Sequence, residues 1–254
     1  MTDLTRNLSQ GRIVTLVAIA LLVVFAATLP GFATADNILS LLQSVSIIGI
    51  LGLGLSITII GRGIDLSIIA VAVMPVAWAF VMIGDGTPVP VAVGLAIATA
   101  ALVGLLNGWL IAYVEVPAIF TTLATGIVTF GLIQYFAVSN DLIPIPEAMT
   151  GLAALVRGTT FGVPNAVLAF LAVAAVVALF LRLLVQGRFV YAIGDNPMAA
   201  RITGIAVRPS ILLQYVLSAL IALLRCRSTE LPTPSSHDEF TCRVFRATRI
   251  VETL

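Results

Sequence analysis

GRFVYAIGDNPMAARITGIAVRP, residues 187–209, interrupts a chain that is otherwise almost continuously apolar. Asn196 or Asp195 can cap a helix by accepting from its first free N–H groups, and Pro197 suits the first helical position. Met198 to Thr203 supply about two turns, which Gly204 can end in the left-handed conformation. The passage is therefore expected to be a polar connection holding one short, stiff helix, with Arg201 on it and Arg188 and Arg208 on either side. Two uses fit such an element. Its arginines can face lipid phosphates as an interfacial helix. Alternatively, it is a rigid peg on which a separate motor pushes, since a floppy loop would dissipate the displacement.

What surrounds the passage decides the fold class. Of 254 residues, 60% are hydrophobic and 10% charged, where a soluble domain carries roughly a quarter charged residues. A spanning helix needs about 20 apolar residues. Six stretches qualify, near 13–29, 38–60, 66–83, 91–114, 118–138 and 166–185, and a seventh, ILLQYVLSALIALL from Ile211 to Leu224, is short of a full span. The expectation is an all-α polytopic transmembrane helix bundle over residues 1–224, with about six complete spans and a partial seventh. Glycines within the spans, Gly49, Gly52, Gly54, Gly104 and Gly108, are expected to let helix backbones approach closely.

The same composition excludes several functions. All thirteen basic residues are Arg, so there is neither a Walker A lysine for nucleotide phosphates nor a Schiff-base lysine. A net charge of +1 gives no footprint for nucleic acid. Both Cys and the single His lie beyond residue 224, leaving the spans without thiolate or imidazole for catalysis or metal binding. Cys226, His237 and Cys242 match no zinc spacing. No catalytic residue, metal site or cofactor is expected on this chain.

Arginines in short loops are retained on the cytoplasmic side. With the N-terminus inside, Arg6, Arg12, Arg62, Arg182, Arg188, Arg201 and Arg208 are all inside and only Arg157 is outside among the first 224 residues. The passage at 187–209 then faces the cytosol after six crossings. Arg6, Arg12, the first apolar run and Ala33-Thr34-Ala35 imitate a cleavable signal, but its removal would leave every later crossing oriented as before. Residues 225–254 hold nine of the 25 charges, with Pro232 and Pro234 breaking any helix. This polar tail reads as disordered or as an out-of-frame end replacing further spans, with a genuine or regulatory tail as the other readings.

A second polar interruption is IIGRGIDLS, residues 59–67, whose Arg62 and Asp65 are the only charges between Ile38 and Ile83. Asp65 can cap the next helix and complement its dipole, with Gly61-Arg62-Gly63 as a tight turn. The other reading makes this a broken-helix element lining a passage for polar solute. Asn107, between Gly104 and Gly108, suits a helix-to-helix hydrogen bond and also a pathway position.

The stretch GRFVYAIGDNPMAARITGIAV resembles the cytoplasmic loop of the membrane subunits of ribose-type sugar ABC importers, and GRGIDLS resembles their early G-I-D-L-S signature. GLLNGWLIAYVEVPAIFTTLAT at 104–125 and LLQSVSIIGILGLGLSITII at 41–60 are similar to the same family, and the resemblance covers roughly residues 10–222. It implies a permease subunit of a sugar, rhamnose or polyol importer in the bacterial inner membrane, paired with a second permease subunit, homo- or heterodimeric. A cytosolic ATPase carrying ATP and Mg, and a periplasmic solute-binding protein, are the further partners implied. Gly187, Arg188, Tyr191, Gly194, Asn196, Ala200 and Gly204 carry over as the ATPase-coupling positions, beside Asp195 and Arg201 from the local reading. Arg62, Asp65, Ser67, Asn107, Thr121 and Thr122 are the candidates for a substrate pathway. Arg62 stands where the commonest family pattern has Gly, and Ile68-Ile69 replace the usual Val-Gly. Past Ser218 the chain departs from the family's further spans, so a non-functional truncated permease is one alternative. A secondary transporter driven by an ion gradient, relying on Arg62 with Asp65 as its ionisable pair, is another.

Overall fold

The computed structural model describes residues 10–137, 146–151, 158–160 and 162–226. Arg6, Arg157, Asp141 and the tail beyond Cys226 lie outside the described residues. Among the described residues nine α-helices carry the fold: α1 (Gln10–Thr28), α2 (Ala35–Ile60), α3 (Ile68–Gly84), α4 (Val89–Ala112), α5 (Ala118–Ala137), α6 (Asn165–Leu183), α7 (Val185–Asp195), α8 (Pro197–Ile202) and α9 (Val207–Cys226). A two-stranded antiparallel ladder, β1 (Thr159–Thr160) with β2 (Val163–Pro164), leads into α6. Among the described residues six helices, α1, α2, α4, α5, α6 and α9, are long and apolar enough to cross a membrane; α3, expected as a complete span at 66–83, is a helix of 17 residues and falls short of that length. The last apolar run differs from its expectation. It is a 20-residue helix, because Val207 to Ser210 belong to its first turn. Pro209 is tolerated there since first-turn N–H groups have no helical acceptor, and the Arg208 guanidinium leaves the helix for a partner in the α4–α5 connection.

Two compact units divide the chain, Met1–Val45 and Ser46–Leu254, with the division inside α2. In the first, the turn after α1 uses Gly31 at φ +82°, and the Phe25 and Phe32 rings meet at 5.9 Å. In the second, small residues set helix spacing. A Cβ at Gly104 would lie 2.7 Å from the Tyr215 carbonyl oxygen, and one at Gly108 would lie 2.6 Å from Leu212 Cα. Any larger residue would push α4 off α9, which in lipid removes the van der Waals contact that holds them. Val71, Ala100, Val103 and Ala219 join α3, α4 and α9 in one buried cluster. Ile57, Val177 and Leu181 join α2 to α6 in another.

Candidate functional site

The passage at 187–209 contains more helix than its sequence suggests. After α6 the backbone turns at Leu184, in extended conformation, and starts α7 at once. Gly187, Val190 and Ile193 form the buried face of α7, while Arg188 and Tyr191 are exposed. That spacing is visible in the sequence. Gly187 and Gly194, expected among the ATPase-coupling positions, are contact residues within the chain. A Cβ at Gly187 would overlap the Phe180 carbonyl and lie 2.6 Å from Leu181 Cα, so α7 folds directly onto the end of α6. A Cβ at Gly194 would overlap the Ile60 carbonyl, so the far end of α7 lies against the end of α2.

The short helix α8 is closed at both ends. Asn196, with extended backbone, accepts from Met198 N at 2.9 Å and Ala199 N at 3.1 Å, and Pro197 takes the first helical position. Asp195 is not the cap. At the other end Gly204 adopts φ +84°, its N–H bonds Arg201 O at 3.1 Å, and Ile205 N–H bonds Ala200 O at 3.0 Å. This is the Schellman closure, which satisfies two of the carbonyls a helix end leaves free. Ala200 is buried with Ile193 and Val207, seating α8 on α7 and the start of α9. The outward side chains are Arg201 together with Met198 and Ile202, the last two 65% and 80% exposed. The sequence reading missed this apolar pair, although four-residue spacing on a helix already places such residues on one face.

The GRG turn is the neighbour of this passage. α2 ends with Arg62 N–H on Ile59 O at 3.0 Å and Gly63 N–H on Thr58 O at 2.7 Å, a second Schellman closure, with Arg62 itself in the left-handed position at φ +64°. The Arg62 guanidinium is exposed and donates to the Asp195 carbonyl at 2.8 Å. Gly61 and Gly63 face the Gln214 amide and the Tyr215 hydroxyl of α9, which leave no room for a Cβ at either position.

Asp65 faces elsewhere. It is 2% exposed; one carboxylate oxygen accepts from Ser67 N at 3.1 Å and Ser67 Oγ at 2.6 Å, the other from Ser218 Oγ at 2.9 Å. Asn107 Nδ2 donates to Ser67 Oγ at 2.8 Å, and Thr125 Oγ1 donates to Asn107 Oδ1 at 2.5 Å. Thr122 Oγ1 accepts from Leu66 N at 3.1 Å and donates to Ala118 O at 2.8 Å. Asp65, Ser67, Asn107 and Thr122 thus come together in a buried network tying the α2–α3 connection to α4, α5 and α9. Thr125 and Ser218 complete it. Neither was singled out in the sequence, where a hydroxyl in an apolar helix carries no mark of its partner. Burial pushes the Asp65 carboxyl up, against the lowering pull of the Ser67 and Ser218 hydrogen bonds. Thr121, also buried, has no hydrogen-bond partner for its hydroxyl among the described residues. Arg62 and Asp65 therefore have different partners and do not act as one pair. No cluster of three metal-ligating side chains occurs among the described residues.

A family model described as the permease component of branched-chain amino acid transport systems matches residues 37–224. A probable ABC transporter permease protein of Sinorhizobium fredii is 32% identical over 133 residues, which are 49% of this chain and 39% of that protein. A galactose/methyl galactoside import permease of Escherichia coli is 30% identical over 128 residues, 48% of this chain and 38% of the relative. A fructose import permease of Rhizobium meliloti is 33% identical over 136 residues, 49% and 36% of the two chains. The chain thus matches well under half the length of each of these relatives. No solved structure matches it. The family match and the six spanning-length helices make this a multi-pass membrane protein.

Proposed function

The chain belongs to the family described as the permease component of branched-chain amino acid transport systems, and on that premise we propose that it is the membrane-spanning subunit of a bacterial ABC importer for a sugar or polyol. The observation that carries this is α8, a helix capped at both ends that stands between apolar helices and turns Met198, Arg201 and Ile202 outward. Exposed apolar side chains on a stiff element suit a protein groove, and the cytosolic ATPase is the partner that would supply one. Gly187, Arg188, Tyr191, Gly194, Asp195, Asn196, Ala200, Arg201 and Gly204 build or present this surface. The sugar assignment draws on the names of the relatives from Escherichia coli and Rhizobium meliloti. ATP and Mg belong to the ATPase, and this chain performs no hydrolysis. A periplasmic binding protein delivers the solute, and a second permease subunit, identical or not, completes the passage. The arginine distribution supports an inner-membrane protein with a cytoplasmic N-terminus. Asp65, Ser67, Asn107 and Thr122 serve the passage by fixing the break between α2 and α3, and Thr121, whose buried hydroxyl has no partner among the described residues, is the candidate left to meet solute.

Solute uptake into vesicles tests the reading. Uptake that vanishes when the cytosolic ATPase is lost but ignores uncouplers supports the importer, and the reverse pattern would falsify it. Gly204→Val, forced into a left-handed turn that a β-branched residue resists, should insert normally yet capture less ATPase.

A further inference from the structure

Among the described residues two non-glycine positions have positive φ, Arg62 at +64° and Glu115 at +62°. Both are charged, and both follow the C-terminal end of a long apolar helix, α2 and α4 respectively. A left-handed L-residue costs on the order of 1–2 kcal/mol that glycine avoids. Such a strain at two equivalent places calls for something the side chains do. Arg62 donates to the carbonyl of Asp195, the residue before the cap of α8. Glu115 pairs with Arg208 at 3.1 Å, five residues after Thr203, the C-cap of α8, and the same guanidinium lies 5.6 Å from the centre of the Tyr113 ring. One strained residue therefore reaches the chain entering α8, and the other reaches the chain leaving it.

We propose that Arg62 and Glu115 are positioning residues that brace the two flanks of α8 against the ends of α2 and α4. The proposal rests on the reading of α8 as the coupling element but not on any particular solute. Arg62 is the stronger brace. The Asp195 carbonyl lies at the negative end of the α7 dipole and has no helical donor of its own, so a guanidinium there satisfies a free acceptor and a partial charge together. Gly194 beside it lets the backbones touch at Ile60, which gives that flank both a contact and a hydrogen bond. Glu115–Arg208 is an exposed pair and binds weakly by itself. Its contribution is to fix the direction in which the start of α9 leaves α8. A push on α8 then arrives at the ends of α2 and α4 rather than being spent in its own connections.

The full chain in lipid nanodiscs, followed by hydrogen exchange, tests this without any partner protein. Arg62→Gly removes the side chain while giving the left-handed position its preferred residue, so the fold keeps or gains thermal stability. Exchange at Asp195 to Ala200 should nevertheless accelerate about tenfold or more, the loss of one charge-assisted hydrogen bond. Arg62→Lys, which keeps a donor, should recover most of the protection. Glu115→Gly should accelerate Ile205 to Ser210 by a smaller factor, and the exchanged pair Glu115→Arg with Arg208→Glu should restore it. Unchanged exchange in Arg62→Gly overturns the brace at that flank, and a failure of the exchanged pair to restore protection overturns it at the other. Labelling of the passage only from the periplasmic side would instead remove the coupling reading while leaving the exchange results intact.

Discussion

Residues 61–67 and residues 185–206 are both polar interruptions between apolar helices, and they satisfy their polar groups in opposite ways. The first turns Asp65 and Ser67 inward, where the Asn107 amide of α4 meets Ser67 and the Ser218 hydroxyl of α9 meets Asp65 at hydrogen-bond distance, with Thr125 of α5 donating to Asn107 in turn. The second satisfies its backbone locally, through the Asn196 cap and the Gly204 closure, and leaves Met198, Arg201 and Ile202 facing out. Buried polar groups without partners are costly, and more so with no water nearby. An inward polar segment must therefore be closed by long-range partners. An outward one can complete itself and keep its side chains for another molecule. Arg62 connects the two: it belongs to the first segment by sequence and to the second by contact.

The largest test of this contrast is Asp65→Ala. It strands Ser67 N, Ser67 Oγ and Ser218 Oγ at once and should cost roughly 3–5 kcal/mol, read as a fall in thermal midpoint of the full chain in detergent. A loss under about 1 kcal/mol would show that the network is not structural. Next in size is Gly194→Ala. The new methyl meets the Ile60 backbone oxygen rather than a movable side chain, and overpacking of that kind costs about 1–3 kcal/mol. Faster hydrogen exchange across α7 should accompany it, while an unperturbed α7 would mean that the two helix ends are not in firm contact. Smaller still is Asn196→Ala, at about 1 kcal/mol for a lost cap, with exchange accelerated at Met198 and Ala199 and the thermal midpoint lowered by only about 2–4 °C. The smallest effect on stability belongs to Met198→Ser with Ile202→Ser, within about 0.5 kcal/mol because both are exposed. If α8 is a docking surface, that pair should still reduce ATPase capture strongly. Equal capture by the double variant and the parent would place docking elsewhere.

Much of the fold was legible because hydrocarbon imposes length and composition on every spanning helix. The α8 helix was legible for a related reason, since Asn-Pro at one end and Gly at the other are local signals that need no tertiary partner. Three features were not. The start of α9 was hidden because Arg208, Pro209 and Ser210 look like loop residues until the guanidinium is seen to reach Glu115 and Tyr113. The α7 helix was hidden because glycine has the same letter whether it breaks a helix or lets one touch its neighbour. The role of Asp65 was only half visible. Its local bond goes to the N–H of Ser67, which itself holds the cap position of α3 and makes no side-chain cap bond, so Asp65 is not the expected helix cap, and its bond to Ser218 joins residues 153 positions apart.

By itself the sequence determined the membrane-spanning class, the approximate spans and the capped helix of the passage, all of which follow from short-range chemistry along the chain. Tertiary structure alone decided which polar groups face each other: that Asp65 meets Ser218, that Gly194 rests on Ile60, and that Arg62 and Glu115 reach the two flanks of α8. The reason is that a hydrogen bond or a backbone contact between distant residues depends on how helices are placed in space, and the order of residues along one helix carries no record of the helix beside it.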